Sequence, residues 1–203
     1  MSIIRSFLYL SSADAQLSLG LGEAKPSERL FFAVMPDANT AALIGARTIE
    51  LIAREHLRAQ PLAHERLHVT LHHLGDYAGL PPSLLTRARA AADRVRMDAF
   101  EVRFDRIGSF GGRQRQLPCV LRGEDGVKGL FRLQRMLARR LAEQGIIGDS
   151  RFTPHLTLLY TDTVLATQRS EAVRWCAHEF VLIRSFLGQT RYQIEGRWPL
   201  APK

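Results

Sequence analysis

The feature that most constrains this chain is a four-residue pattern that occurs twice: a histidine, an apolar residue, a threonine and a second apolar residue. The two copies are His68-Val69-Thr70-Leu71 and His155-Leu156-Thr157-Leu158. Strict alternation of polar and apolar residues predicts a β-strand, in which successive side chains point to opposite faces. Each copy therefore presents its histidine and threonine on one face, while its apolar residues anchor the other face in a core.

Two such copies are expected by chance in roughly one chain of this kind in several hundred, so the repeat is a specific signal. Two imidazoles with an ordinary pKa of about 6.5 can hold one neutral base and one protonated acid near neutral pH. Such a pair suits the in-line cleavage of a phosphodiester, and threonine hydroxyls can donate hydrogen bonds to the phosphate oxygens as charge builds. The sequence thus predicts His68, Thr70, His155 and Thr157 as catalytic residues, with no metal and no cofactor.

The charge balance agrees with an anionic substrate. The chain has 203 residues, of which 28 are Lys or Arg and 20 are Asp or Glu, for a formal net charge of +8. Such a surface attracts RNA and other polyanions. A hydrophobic fraction of 46% excludes disordered and collagen-like classes and is enough for one two-lobed domain or two small domains that share an interface.

The hydrophobic patterns predict an α+β fold with antiparallel strands. We expect strands at residues 30–35 and 67–71, each followed by a helix, at residues 37–58 and 81–97. The first of these helices should bury one stripe, formed by Leu43, Ile44, Ile49, Ile52 and Ala53. A hairpin at residues 100–121, a helix at 126–145 and three strands, at 154–160, 179–187 and 191–198, complete the prediction.

Residues 1–28 show no sustained periodicity and are predicted to be a flexible leader before a domain at residues 29–203. Ala13-Asp14-Ala15 has the small-x-small form of a signal cleavage site, but the preceding apolar stretch is short and broken by serines. The two cysteines, Cys119 and Cys176, form no Cys-x-x-Cys pattern and indicate a reducing compartment. We therefore expect a cytoplasmic monomer with no membrane segment.

Taken together, these motifs identify a resemblance to the two-histidine (2H) phosphoesterase superfamily, closest to the bacterial RNA 2′,3′-cyclic phosphodiesterases, also called 2′-5′ RNA ligases. The resemblance covers nearly everything after the leader. Besides the two repeats, it includes Arg29-Leu30-Phe31-Phe32-Ala33, Arg66-Leu67 and Leu74-Gly75, Phe152-Thr153-Pro154, Phe180-Val181-Leu182-Ile183-Arg184-Ser185, Gly188, Tyr192 and Trp198-Pro199-Leu200.

The resemblance implies two similar lobes related by a pseudo-two-fold axis, with antiparallel sheets lining a central cleft and helices outside. It implies that His68 donates a proton to the leaving oxygen and that His155 accepts one from water, so that a 2′,3′-cyclic phosphate of RNA or of a nucleotide opens to a 2′-phosphomonoester. The reverse reaction, 2′-5′ RNA ligation, stays open. Two positions depart from the family: His73 stands where an aromatic residue is usual, and Tyr160 where an arginine is common.

Other residues have less specific signals. Phe152 could stack on a base, and Arg113 and Arg115, at a predicted hairpin tip, could bind RNA phosphates. Strand parity predicts that His72 shares the face of the catalytic residues and that His73 points into the core.

Two alternatives have to be weighed against a metal-independent phosphodiesterase. His64-Glu65-Arg66-Leu67-His68 matches the His-Glu-x-x-His zinc pattern, which requires a helix. The alternation that begins at His68 contradicts a helix there. The second alternative is a basic RNA-binding protein that keeps the cleft but does not turn over a substrate.

Overall fold

A computed structural model describes residues 24–111, 116–148 and 151–202 of the chain. It contains two four-stranded sheets in which every neighbouring pair of strands is antiparallel. The first sheet has the order β2-β1-β7-β8. Its strands are β1 (Glu28–Val34), β2 (Val69–Tyr77), β7 (Glu179–Phe186) and β8 (Arg191–Pro199).

The second sheet has the order β5-β4-β3-β6. Its strands are β3 (Phe100–Ser109), β4 (Leu117–Arg122), β5 (Leu156–Thr161) and β6 (Gln168–Ala177). In each sheet the strand that begins within a repeat forms one edge, β2 in the first sheet and β5 in the second. The strand paired with it comes earlier in the chain, and a helix connects the two. The units β1-α1-β2 and β4-α3-β5 are therefore equivalent, as expected for two lobes related by a pseudo-two-fold axis.

The three helices are α1 (Ala38–Arg54), α2 (Pro82–Ala92) and α3 (Lys128–Glu143). Asp37 caps α1, because its carboxylate accepts a hydrogen bond from the Thr40 amide at 2.9 Å. No helix among the described residues is long and apolar enough to cross a membrane.

Helices α1 and α3 end in the same way. In α3, Gly145 has a φ of 69°, its amide donates to the Ala142 carbonyl, and the next amide, of Ile146, donates to the Leu141 carbonyl. In α1, His56 takes the left-handed position with a φ of 52°, and the Leu57 amide donates to the Ile52 carbonyl at 3.0 Å. These are Schellman motifs, in which the residue after the left-handed one is apolar and buried.

One hydrophobic core joins both sheets and all three helices. Helix α3 contributes four fully buried leucines at helical spacing, as predicted: Leu130, Leu133, Leu137 and Leu141. A smaller cluster on the opposite face of the first sheet contains Phe31, Ala33, Val181 and Ile183. The first sheet is thus apolar on both faces.

Three details differ from the sequence-based expectations. Strand β6 was not predicted, because only its second half alternates, with Val173 and Trp175 buried and the first half polar. The predicted stripe of α1 was partly wrong: Leu43 is 43% exposed and Ile49 60% exposed, whereas Ile44 is 1% exposed. Both predicted helices of the first half were also too long at their C-terminal ends.

The predicted leader falls mostly on residues 1–23, which lie outside the described residues. Glu28, placed at its end, is the first residue of β1 and is buried. Its carboxylate binds the Arg184 guanidinium of the neighbouring strand.

Replacing isoleucine by alanine at two positions of α1 tests which face of this helix is buried. Ile44→Ala should lower the free energy of unfolding by about 2–5 kcal/mol, because it removes a buried side chain and leaves a cavity. Ile49→Ala, the matched control on the exposed face, should change it by less than about 1 kcal/mol. Urea denaturation measures both values, and equal losses would contradict the observed orientation of α1.

Candidate active site

Each repeat leads into an edge strand, β2 in the first sheet and β5 in the second, and these two strands contact each other where the sheets meet. His68 and His155 immediately precede β2 and β5, and both histidines and both threonines of the repeats are half-buried. The apolar residues of the repeats are buried in the common core: Val69, Leu71, Leu156 and Leu158. The predicted alternation is confirmed within both repeats, which have the same burial pattern residue by residue.

Equivalent hydrogen bonds hold the two imidazoles that are candidates for catalysis. His68 Nδ1 lies 2.7 Å from the Arg66 carbonyl oxygen, and His155 Nδ1 lies 2.7 Å from the Thr153 carbonyl oxygen. A carbonyl oxygen can only accept, so Nδ1 carries the hydrogen in both rings. The Nε2 atom of each ring is therefore the one left to accept or donate a proton in chemistry.

Aromatic rings support the imidazoles from the side. Phe31 contacts His68 with ring centroids 4.9 Å apart, and Tyr192 contacts it edge-on at 5.7 Å. Phe110 stacks on His155 at 4.4 Å. The sequence analysis did not single out Phe110, which directly follows β3 and lies far from the second repeat in the chain. Nothing local to Phe110 signals this contact.

Burial shifts the pKa of both histidines. It lowers the pKa of His68 to about 4, and the proximity of His155 and Arg66 contributes in the same direction. It also lowers the pKa of His155, with a smaller contribution from Arg122. Both rings are therefore neutral at pH 7 in the free protein, and electrostatic repulsion disfavours protonation of both at once.

A cleft of about 740 Å³ brings the four predicted catalytic residues together. Its lining includes His68, Thr70, His155 and Thr157, together with Arg29, Arg66, His73, Tyr160 and Tyr192. The Arg66 guanidinium lies over the Tyr192 ring, 5.3 Å from its centroid. Arg66 Nε is buried without a hydrogen-bond partner among the residues that the structure describes. Arg29, by contrast, is held by the Asp76 carboxylate at 2.7 Å.

The prediction for His72 and His73 was wrong, and the reason is a β-bulge. Ala33 of β1 pairs with Thr70, but Phe32 pairs with His72, so that Leu71 is an extra residue in β2. The bulge reverses the parity of the residues that follow. His72 is therefore buried, at 6% exposure, while His73 lines the cleft and lies 3.0 Å from the Asp76 carboxylate.

Strand β5 has the same bulge at the equivalent position. Val120 of β4 pairs with Thr157 and Cys119 with Leu159, which leaves Leu158 as the extra residue. Tyr160 therefore occupies the position equivalent to His73 and lines the cleft from the other side.

The structure does not place the predicted substrate-binding residues in the lining of the cleft. Phe152 contacts Phe131 edge-on at 5.2 Å and packs against the core. It lines a separate depression next to the second repeat. Arg113 and Arg115 lie outside the described residues.

The segment that matches the zinc pattern does not have the required helix. Over residues 64–68, all of which are described, His64–Arg66 is a three-residue 3₁₀ turn and His68 has extended backbone before β2. His64 and His68 consequently do not share a helical face. The imidazole of His64 instead approaches Gly45 of α1, at a distance that leaves no space for a side chain there.

These features define a two-lobed protein with paired histidines in a cleft between two sheets, and comparison with known proteins agrees. A family model described as the 2′-5′ RNA ligase superfamily matches residues 36–184. The chain belongs to this superfamily, which acts on phosphodiester bonds and is the one that the repeats predicted. No curated protein sequence matches the chain significantly.

Solved structures show the same fold. Escherichia coli LigT in its apo form has a TM-score of 0.70 and 25% identity, over 87% of this chain and 99% of that chain. Its complex with 3′-AMP has a TM-score of 0.65 and 30% identity over the same shares. A protein of Thermus thermophilus, at 24% identity and a TM-score of 0.68, covers 86% of this chain and 99% of its own.

The lowered histidine pKa values predict how stability depends on pH. In the unfolded chain histidine binds a proton below about pH 6.5, whereas folded His68 stays neutral down to about pH 4. Between these values the unfolded state binds more protons, so the free energy of unfolding should fall as the pH falls. Urea denaturation at a series of pH values measures this slope.

His68→Gln removes one of the buried imidazoles and should therefore reduce the pH dependence of the free energy of unfolding. The His64→Gln variant is the control, since His64 lies outside the cleft, and it should keep the wild-type slope. A His68→Gln protein with the full wild-type slope would contradict the assigned burial of this imidazole.

Proposed function

We propose that the protein is a metal-independent phosphodiesterase that opens 2′,3′-cyclic phosphates of RNA or nucleotides to 2′-phosphomonoesters. The observation that carries the proposal is the pair of equivalent imidazoles in one cleft, each with Nδ1 fixed by a carbonyl and Nε2 left for proton transfer. General acid–base catalysis requires a positioned acid and a positioned base near the reacting atoms. Family membership and the two arginines that line the cleft, Arg29 and Arg66, agree with an anionic substrate.

In this mechanism a water molecule attacks the phosphorus atom and gives its proton to His155 Nε2. The bond from phosphorus to the 3′ oxygen breaks, and that oxygen takes a proton from His68 Nε2. The Thr70 and Thr157 hydroxyls donate hydrogen bonds to the non-bridging oxygens, where negative charge increases in the transition state. The division of roles between His68 and His155 rests on resemblance to the superfamily.

The electrostatics of the cleft fit this scheme. Burial and mutual repulsion disfavour two protonated imidazoles, and a bound phosphodiester anion favours one proton on the pair. The complex then holds one acid and one base, as the reaction needs. Arg66 adds positive charge in the lobe of His68.

The product of the reaction tests the function directly. An RNA that ends in a 2′,3′-cyclic phosphate should be hydrolysed to a 2′-phosphate, and turnover should persist after exhaustive treatment with a chelator, because no proposed step uses a metal. Phosphorus NMR of the product mixture measures both. Binding of the RNA without turnover would instead support a non-catalytic RNA-binding protein, and activity restored only by zinc would overturn the mechanism.

The histidines should act as one unit. His68→Ala and His155→Ala should each lower kcat by about 10²–10⁴-fold, the usual contribution of a positioned acid or base. The double variant should be little worse than either single variant. His64→Ala, a histidine outside the cleft, is the matched control and should keep wild-type turnover. Near-wild-type kcat in either single variant would contradict the assignment.

A further inference from the structure

The surroundings of the two histidines differ. Beside His68, Phe31 and Tyr192 lie against the imidazole, and Arg29 and Arg66 also line the cleft. Beside His155, the second sheet carries arginines: Arg122 of β4 and Arg106 of β3 are direct cross-strand partners and share one face of the sheet. The second sheet therefore carries two neighbouring arginines next to its histidine.

The positive charge of these arginines is only partly compensated. Arg106 forms an ion pair with Glu124 at 2.9 Å, in which the Glu124 side chain is 71% exposed. Arg122 donates to the Thr167 hydroxyl at 2.7 Å, and its Nε is buried with no hydrogen-bond partner within the described part of the chain. Two cations against one exposed carboxylate leave a net positive surface beside His155.

Next to the arginines is a depression of about 350 Å³ with two aromatic rings in its wall. Phe131 and Phe152 meet there edge-to-face, with ring centroids 5.2 Å apart. Phe131 is 37% exposed, although it lies on the otherwise polar face of α3. The depression is in the size range of small-ligand sites. Arg106 and Arg122 complete its lining.

The depression adjoins the second repeat and lies next to the catalytic cleft, although the two share no lining residue. Thr153, which lines the depression, supplies the carbonyl that fixes His155. Phe110 stacks on the other side of this imidazole, and the Arg122 guanidinium lies 5.7 Å from the Phe110 ring centroid. Thr153 and Arg122 thus each contact the surroundings of His155 and also line the depression that holds the two phenylalanines.

We propose that this depression is a second nucleotide subsite, in which a single-stranded RNA segment next to the reacting phosphate is bound. Arg106 and Arg122 contact its phosphate, and a base stacks on Phe131 and Phe152. Proteins bind unpaired nucleotides with this combination of cationic and aromatic side chains. The inference rests on the proposed function and adds that RNA chains are better substrates than cyclic mononucleotides.

The test compares two substrates with the same reacting group. One is a cyclic 2′,3′-mononucleotide, and the other is a short RNA that ends in the same cyclic nucleotide. We expect the wild-type protein to prefer the RNA by about 10-fold or more in kcat/KM, in line with the contribution of base stacking. Phe131→Ala and Arg106→Gln should each reduce that preference several-fold, while turnover of the mononucleotide stays unchanged.

Arg135→Gln is the matched control, an exposed arginine on α3 that lies outside the depression, and it should keep the wild-type preference. An equal effect of the variants on both substrates, or no effect on either, would overturn the subsite. Failure of the wild type to hydrolyse either substrate would overturn the proposed function instead. Fluorescence anisotropy with an unreactive RNA would then still test the subsite, since unaltered affinity in both variants would contradict it.

Discussion

The site depends on one arrangement, the anchoring of both edge strands in a common hydrophobic core. Val69 and Leu71 of β2, and Leu156 and Leu158 of the second repeat, belong to the same cluster of buried residues. Because side chains alternate along a strand, burial of these four residues forces the intervening histidines and threonines toward the cleft. The packing that stabilises the sheets therefore also sets the geometry of the reacting groups, and a slip of one residue would reverse every side chain.

The same packing sets the electrostatics. Removing the imidazoles from water lowers the pKa of both, which disfavours the protonated state that a general acid needs. In the proposed mechanism, an anionic substrate supplies the missing stabilisation. On this proposal the histidines are uncharged in the empty cleft, and the cleft takes up a proton together with the phosphate. The arginines around it contribute attraction for the anion without titrating themselves.

The elements that could be predicted are those with a strong local signal. The four leucines of α3 recur at helical spacing, and Gly145 marks the end of that helix because glycine takes a positive φ without strain. Helix α1 ends by the same hydrogen bonds, but with His56 at the left-handed position, a residue that carries no such signal in the sequence. The polar first half of β6 likewise looks like a loop, and pairing with β3 makes it a strand.

The sequence by itself determined that His68, Thr70, His155 and Thr157 share a polar face, since alternation with period two is a local property of an extended chain. Only the tertiary structure decided that the two polar faces meet in one cleft, because that depends on which strands form the sheet edges. It also decided that His73, not His72, faces the cleft, since a bulge is defined by the register with the partner strand. The stacking of Phe110 on His155 and the pairing of Arg122 with Arg106 likewise join distant parts of the chain. Such contacts are fixed by packing between elements, which no local pattern records.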